Sequence, residues 1–289
     1  MLAEFEEKPY EQHLTFELIH GRRLFFPPGE VLENIVGFDV ALRTSHRRFW
    51  RFFPHLRPWW HLMSFRHPPG IRLDNQWWSE LEDEVRQFPR YKFNCFIQAK
   101  RPERMVRSDA AEYSTWNSRY FRYDAFLSQQ HALQALAQNV SAKAVVVYAS
   151  PAFHTYRELW AAISTSQLVA ESNFCEVTRM SGHSRYSYID SGNAGFAHSD
   201  GTPIKSTPFS EALETLEAGV PQQSNLEFLQ ATSVVVDAAA EELGPLYDVY
   251  RSMVDKLFQD TDVQLAKHLA RIYAFQYVCN VRHLLGYEG

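Results

Sequence analysis

Cysteine is scarce in this chain: Cys95, Cys175 and Cys279 are odd in number and far apart. That argues against a disulfide framework and favours a reducing, cytoplasmic setting. Long apolar runs are missing as well. No stretch of about 18 uncharged apolar residues occurs, so no membrane span is predicted. The acidic start Met1-Leu-Ala-Glu-Phe-Glu-Glu-Lys8 has neither the basic nor the apolar part of a secretory signal. Net positive charge is absent too. The formal charge is −5, so any attraction to phosphate must come from a local patch rather than from the whole surface. Three chemical signatures are also lacking. There is no Cys-x-x-Cys or His-x₃-His spacing around Cys175, His183, His154 and His198, no Gly-x-Ser-x-Gly, and no Gly-Lys-[Ser/Thr] after Gly192-Asn-Ala-Gly195. These absences weigh against a zinc site, a serine-hydrolase elbow and a phosphate loop.

The residues that are present make an α/β pattern. With 289 residues, 45% of them hydrophobic, the chain can bury one large core or a core plus a smaller appended unit. Helices are predicted at residues 9–20, stopped by Gly21, at 75–87, closed by Pro89, and at 128–139. Strands are predicted at 32–42, 91–100 and 143–149, the last a continuous apolar run of the kind covered on both faces. Beyond about Phe153 come a helix near 159–169, strands joined by a turn within 176–196, and amphipathic helices from 213 to the end. The expected organisation is a core over 1–152, interrupted by an insertion at 43–73, and a hairpin-plus-helix region over 153–289. Its helices, from Asn225 to Leu285, are candidates for a homodimer interface or partner docking.

Charge is distributed unevenly. Val40 to Leu73 holds seven arginines and no Asp or Glu, interleaved with aromatics, whereas Ser210 to Asp262 is acidic. Arg43, Arg47, Arg48, Arg51 and Arg57, with Trp59 and Trp60, suit phosphate contact and base stacking, and Arg101 follows the second strand.

Chemistry is concentrated in four positions. Asp39 ends or nearly ends one predicted strand, Gln98 and Lys100 share a face of another, and Glu11 stands early in the first helix. Tyr10-Glu11, Gly37-Phe38-Asp39 and Phe96-Ile97-Gln98-Ala99-Lys100-Arg101 resemble the motifs of the Mrr-like branch of the PD-(D/E)xK nucleases, in which Gln-x-Lys replaces Glu-x-Lys. The resemblance spans about residues 9–150. It implies a restriction-endonuclease-like αβββαβ core carrying a large insertion and a mainly helical C-terminal extension. It further implies Mg²⁺ or Mn²⁺ held by Asp39, Gln98 and the Ala99 carbonyl, with Glu11 as auxiliary carboxylate and Lys100 acting on the attacking water. The implied activity is DNA phosphodiester hydrolysis, with RNA the lesser alternative, in restriction or antiviral defence. A catalytically inactive nucleic-acid-binding or assembly subunit is the rival reading. Asp39 and Gln98 lie 59 positions apart, longer than a simple hairpin needs, so the large insertion falls between the strands that carry them.

Overall fold

The computed structural model describes residues 1–22, 24–27, 75–140, 143–198, 201–258 and 262–288. The expected strand at 32–42 and the arginine-aromatic segment lie outside the described residues. Among the described residues the architecture is mixed α/β with two five-stranded sheets.

In chain order the elements are α1 (Glu7–Gly21), β1 (Leu24–Phe25), α2 (Asn75–Gln87), β2 (Tyr91–Ala99), β3 (Glu103–Met105), α3 (Tyr113–Trp116), β4 (Tyr120–Asp124), α4 (Leu127–Asn139) and β5 (Ala144–Pro151). They continue with α5 (Tyr156–Thr165), β6 (Ser172–Glu176), β7 (Arg185–Tyr188), β8 (Ala194–Ala197), β9 (Thr202–Lys205), α6 (Phe209–Glu217), α7 (Asn225–Ala240), α8 (Tyr247–Phe258), α9 (Gln264–Cys279) and β10 (Arg282–Tyr287). One sheet runs β1-β10-β2-β5-β6 and the other β3-β4-β7-β8-β9.

β2 is the middle strand of the first sheet, antiparallel to β10 and parallel to β5. It is buried on both faces, and its alternation divides two cores. Phe93, Cys95, Ile97 and Ala99 pack with Leu14 and Leu18 of α1 and Leu159 of α5. Phe96 packs with Leu133 and Leu136 of α4, Val236 of α7 and Phe275 of α9. Gln98 and Lys100, two and four residues beyond Phe96, therefore belong to the α4–α9 face.

The C-terminal region differs from expectation at its end. Residues 282–287 form a strand, not a helix, and this strand fills the flank of β2 opposite β5. The sheet thus joins the last residues of the chain to the first half. The C-terminal helices spend their apolar faces inside the chain, with Phe228, Leu229, Leu265 and Leu269 buried against Trp78 and Tyr91.

Gly286 makes the pairing of β10 and β2 possible. A Cβ there would lie 2.1 to 2.5 Å from the Phe93 ring, which is itself fully buried. Gly286→Ala is expected to lower the free energy of unfolding by about 1–3 kcal/mol, as overpacking does in a closed core. An unchanged urea midpoint in that variant would show that the ring has room to move.

Candidate active site at the end of β2

The parallel strands β2 and β5 end side by side, and the carboxyl ends of parallel strands are where α/β sheets place ligands. The chain continues straight out of β2 into Lys100, whose N–H donates to Ala149 O at 2.8 Å while its own carbonyl accepts from Ser150 Oγ at 3.0 Å. Backbone pairing so fixes the base of the side chain.

Lys100 is only 6% exposed. Its ammonium lies 5.3 Å from the centre of the Tyr148 ring, and no carboxylate among the described residues comes within ion-pair distance of it. Burial lowers its pKa to about 8, against the opposing fields of Glu7 and Asp124. A buried, uncommitted ammonium is costly, and such groups concentrate at functional sites.

Gln98 is 1% exposed. Its Nε2 donates to Gln129 Oε1 at 3.2 Å and to the carbonyl oxygen of Cys279. Its Oε1 accepts no hydrogen bond among the described residues. Ala99 lies beyond the last β10 rung, which pairs Arg282 with Ile97.

Two carboxylates, Glu7 and Asp124, exert fields on Lys100, and Glu7 of α1 is a residue the sequence did not single out. Glu7 Oε2 accepts the Arg101 N–H at 3.2 Å and Oε1 accepts from Asn280 Nδ2 at 2.5 Å. Burial raises its pKa, and Glu11 raises it further, while the Lys100 charge and the Arg101 N–H work in the other direction. Glu11 sits one turn along α1 and is paired: Arg282 Nη2 and Nε donate to its Oε1 at 2.8 and 3.1 Å, and Lys8 Nζ at 3.3 Å. Glu17, the other acidic candidate on this helix, holds the backbone N–H groups of Leu168 and Val169.

Arg101, expected to meet nucleic acid, binds the N-terminal segment instead. Its Nη1 donates to both Glu6 carboxylate oxygens at 2.9 Å, and Nε and Nη2 donate to Ala3 O at 3.1 and 2.6 Å. Asp39, Arg43, Arg47, Arg48, Arg51, Arg57, Trp59 and Trp60 lie outside the described residues.

The segment Tyr120–Asp124, without a role in the sequence reading, belongs to a charge network on the second sheet. The nearly buried Glu112 accepts from Tyr120 at 2.6 Å, Arg122 at 3.1 Å and Arg185 at 3.2 Å, and Arg185 also donates to Asp124 at 2.7 Å. Burial opposes the charge on Glu112, but these three donors outweigh it and its pKa is lowered.

No family model, curated protein or solved structure matches the chain. The chemistry of the β2 end therefore carries the functional reading. Its donors are hard oxygens, from Glu7 and Gln98, of the kind Mg²⁺ or Mn²⁺ selects over thiolate-seeking metals. Among the described residues no group of three or more His, Cys, Asp or Glu gathers around one point. His154, His198 and Cys175 are each engaged locally, with Arg104, Ser187 and the Glu176 carbonyl respectively. Among the described residues no helix is long and apolar enough to cross a membrane.

Proposed function

We propose that this chain is a metal-dependent endonuclease that hydrolyses phosphodiester bonds in DNA, built on a restriction-endonuclease-like αβββαβ core. The observation that carries this reading is the buried ammonium of Lys100. It has no ion-pair partner among the described residues, lies within the field of Glu7, and follows Gln98, whose oxygen accepts no hydrogen bond among them, at the end of the central strand. The order α1, β2, α4, β5 with β2 and β5 parallel supports the core assignment. β2 is flanked by β10 on one side and by β5 on the other.

In this reading Asp39, Gln98 Oε1 and the Ala99 carbonyl would hold Mg²⁺ or Mn²⁺, with Glu7 as the auxiliary carboxylate in place of Glu11. The ion supplies an acidified water and charge neutralisation at the phosphate. Lys100, charged below about pH 8, orients the attacking water and offsets negative charge as it builds on the phosphoryl oxygens. Glu7, whose pKa burial raises, would be the nearby carboxyl able to take up a proton. The arginines and tryptophans of 43–72 grip the phosphates and bases, a reading that rests on sequence alone, and the biological setting follows the family resemblance in pointing to restriction or antiviral defence.

The test is cleavage of supercoiled and linear duplex DNA by the full chain in Mg²⁺ or Mn²⁺. Nicked or linear product that disappears in EDTA and in Asp39→Ala is expected; equal cleavage by Asp39→Ala would falsify the proposal. The neutral Gln98 and the absence of a three-carboxylate cluster among the described residues favour one rival, a nuclease fold that binds nucleic acid without cutting it. Metal-dependent DNA binding with no product over many hours would select that rival.

A further inference from the structure

The last turn of α9 ends against β2 and α4, and its carbonyls have no partner within the helix. Gln129 of α4 donates from Nε2 to Val278 O at 2.9 Å, and Gln98 donates from Nε2 to Cys279 O. Gln98 Nε2 also donates to Gln129 Oε1 at 3.2 Å.

The orientation of both amides follows from chemistry. A backbone carbonyl can only accept, so the nitrogen of each glutamine must face its carbonyl. With the Gln129 nitrogen on Val278, its oxygen is left for the second N–H of Gln98. Both N–H groups of Gln98 are then used, and its oxygen accepts nothing among the described residues. A glutamate at position 98 would set a carboxylate oxygen against the Cys279 carbonyl and the Gln129 oxygen, at the negative end of the α9 dipole.

We infer that Gln129 is a positioning residue, which together with the α9 carbonyls turns the Gln98 oxygen toward the Lys100 site, and that this arrangement requires glutamine rather than glutamate at position 98. The functional consequence rests on the proposed metal site, whereas the orientation itself does not. A role limited to capping α9 would change stability and leave Mn²⁺ binding unmoved.

The experiment uses the full chain labelled with ¹⁵N-glutamine, with Mn²⁺ as the probe. In the parent, the side-chain N–H groups of Gln98 are expected to exchange with water at least about tenfold more slowly than those of an exposed glutamine, as doubly bonded amides do. Gln129→Met should speed that exchange and weaken Mn²⁺ binding by about 10–100-fold, the usual effect of losing a group that orients a ligand. Gln98→Glu should bind Mn²⁺ more weakly than the parent despite its added charge. Exchange of Gln98 in the parent at the rate of an exposed amide would overturn the inference, as would tighter Mn²⁺ binding by Gln98→Glu. A parent that binds no Mn²⁺ would sink the metal reading alone, with the amide exchange still deciding the orientation. Should Gln129→Met fail to fold, the parent's exchange and Gln98→Glu carry the decision.

Discussion

Lys100→Met is expected to lower the rate of DNA cleavage by about 10²–10³-fold, with little change in the concentration of DNA needed for half-maximal rate. The magnitude is that of removing one group that stabilises developing charge in a dry site. Methionine keeps the length and apolar contact of the stem while deleting the ammonium, so the packing on Tyr148 is largely preserved. DNA affinity should barely move, because a side chain only 6% exposed has little surface to offer a bound duplex. Loss of affinity with an unchanged maximal rate would assign Lys100 to substrate binding instead.

The second large effect concerns His283, on the strand that closes the flank of β2. Its ring stacks on Phe96 with centroids 4.3 Å apart, its Nε2 meets Asn94 Oδ1 at 2.8 Å, and its Nδ1 has no partner among the described residues. A carboxamide oxygen accepts, so Nε2 carries the proton and Nδ1 holds a buried lone pair. A second proton on Nδ1 would place a charge among Phe96, Asn94 and the sheet with no acceptor, and burial lowers the pKa to about 3. The unfolded chain takes up this proton near pH 6.5, so between pH 6.5 and about 3 it binds more protons than the folded protein. Stability therefore falls on acidification through that window, by about 2–3 kcal/mol over two pH units from this group. Relative to the parent, His283→Leu should be less stable at pH 7, since it strands Asn94, and should lose less stability down to pH 4.5. Parallel stability curves for the two proteins across that range would show that His283 titrates normally.

Elements with local signatures were legible in the sequence. α2 was expected at 75–87 and spans Asn75–Gln87, and β2 and α4 were placed to within one residue at each end. Their apolar spacing and the stop at Pro89 are contained within each segment. α5 begins at Tyr156, three residues earlier than expected, because Thr155 and Glu158 form a capping box whose sequence pattern was on view. β10 was hidden for a physical reason. Six residues at the end of a helical run carry no decisive period, and only Asn280, left-handed at φ 48°, marks the break.

The site divides in the same way. Gln98 and Lys100 were legible as two side chains on one strand face. Glu7 read as part of an acidic leader, although Glu7 and Glu11 stand one helical turn apart once α1 is extended to its observed start. Asn280, Arg282 and the Cys279 carbonyl reach the site only through the pairing of β10 with β2, and Gln98 and Cys279 are 181 positions apart. Contacts of that range leave no local pattern in a single sequence.

The most direct test of the central claim is calorimetric titration of the full chain with Mn²⁺. The account predicts a binding heat in the parent that Asp39→Ala and Gln98→Ala abolish and Glu7→Gln weakens. No heat in the parent, or the same heat in all four proteins, would contradict a metal site at the end of β2.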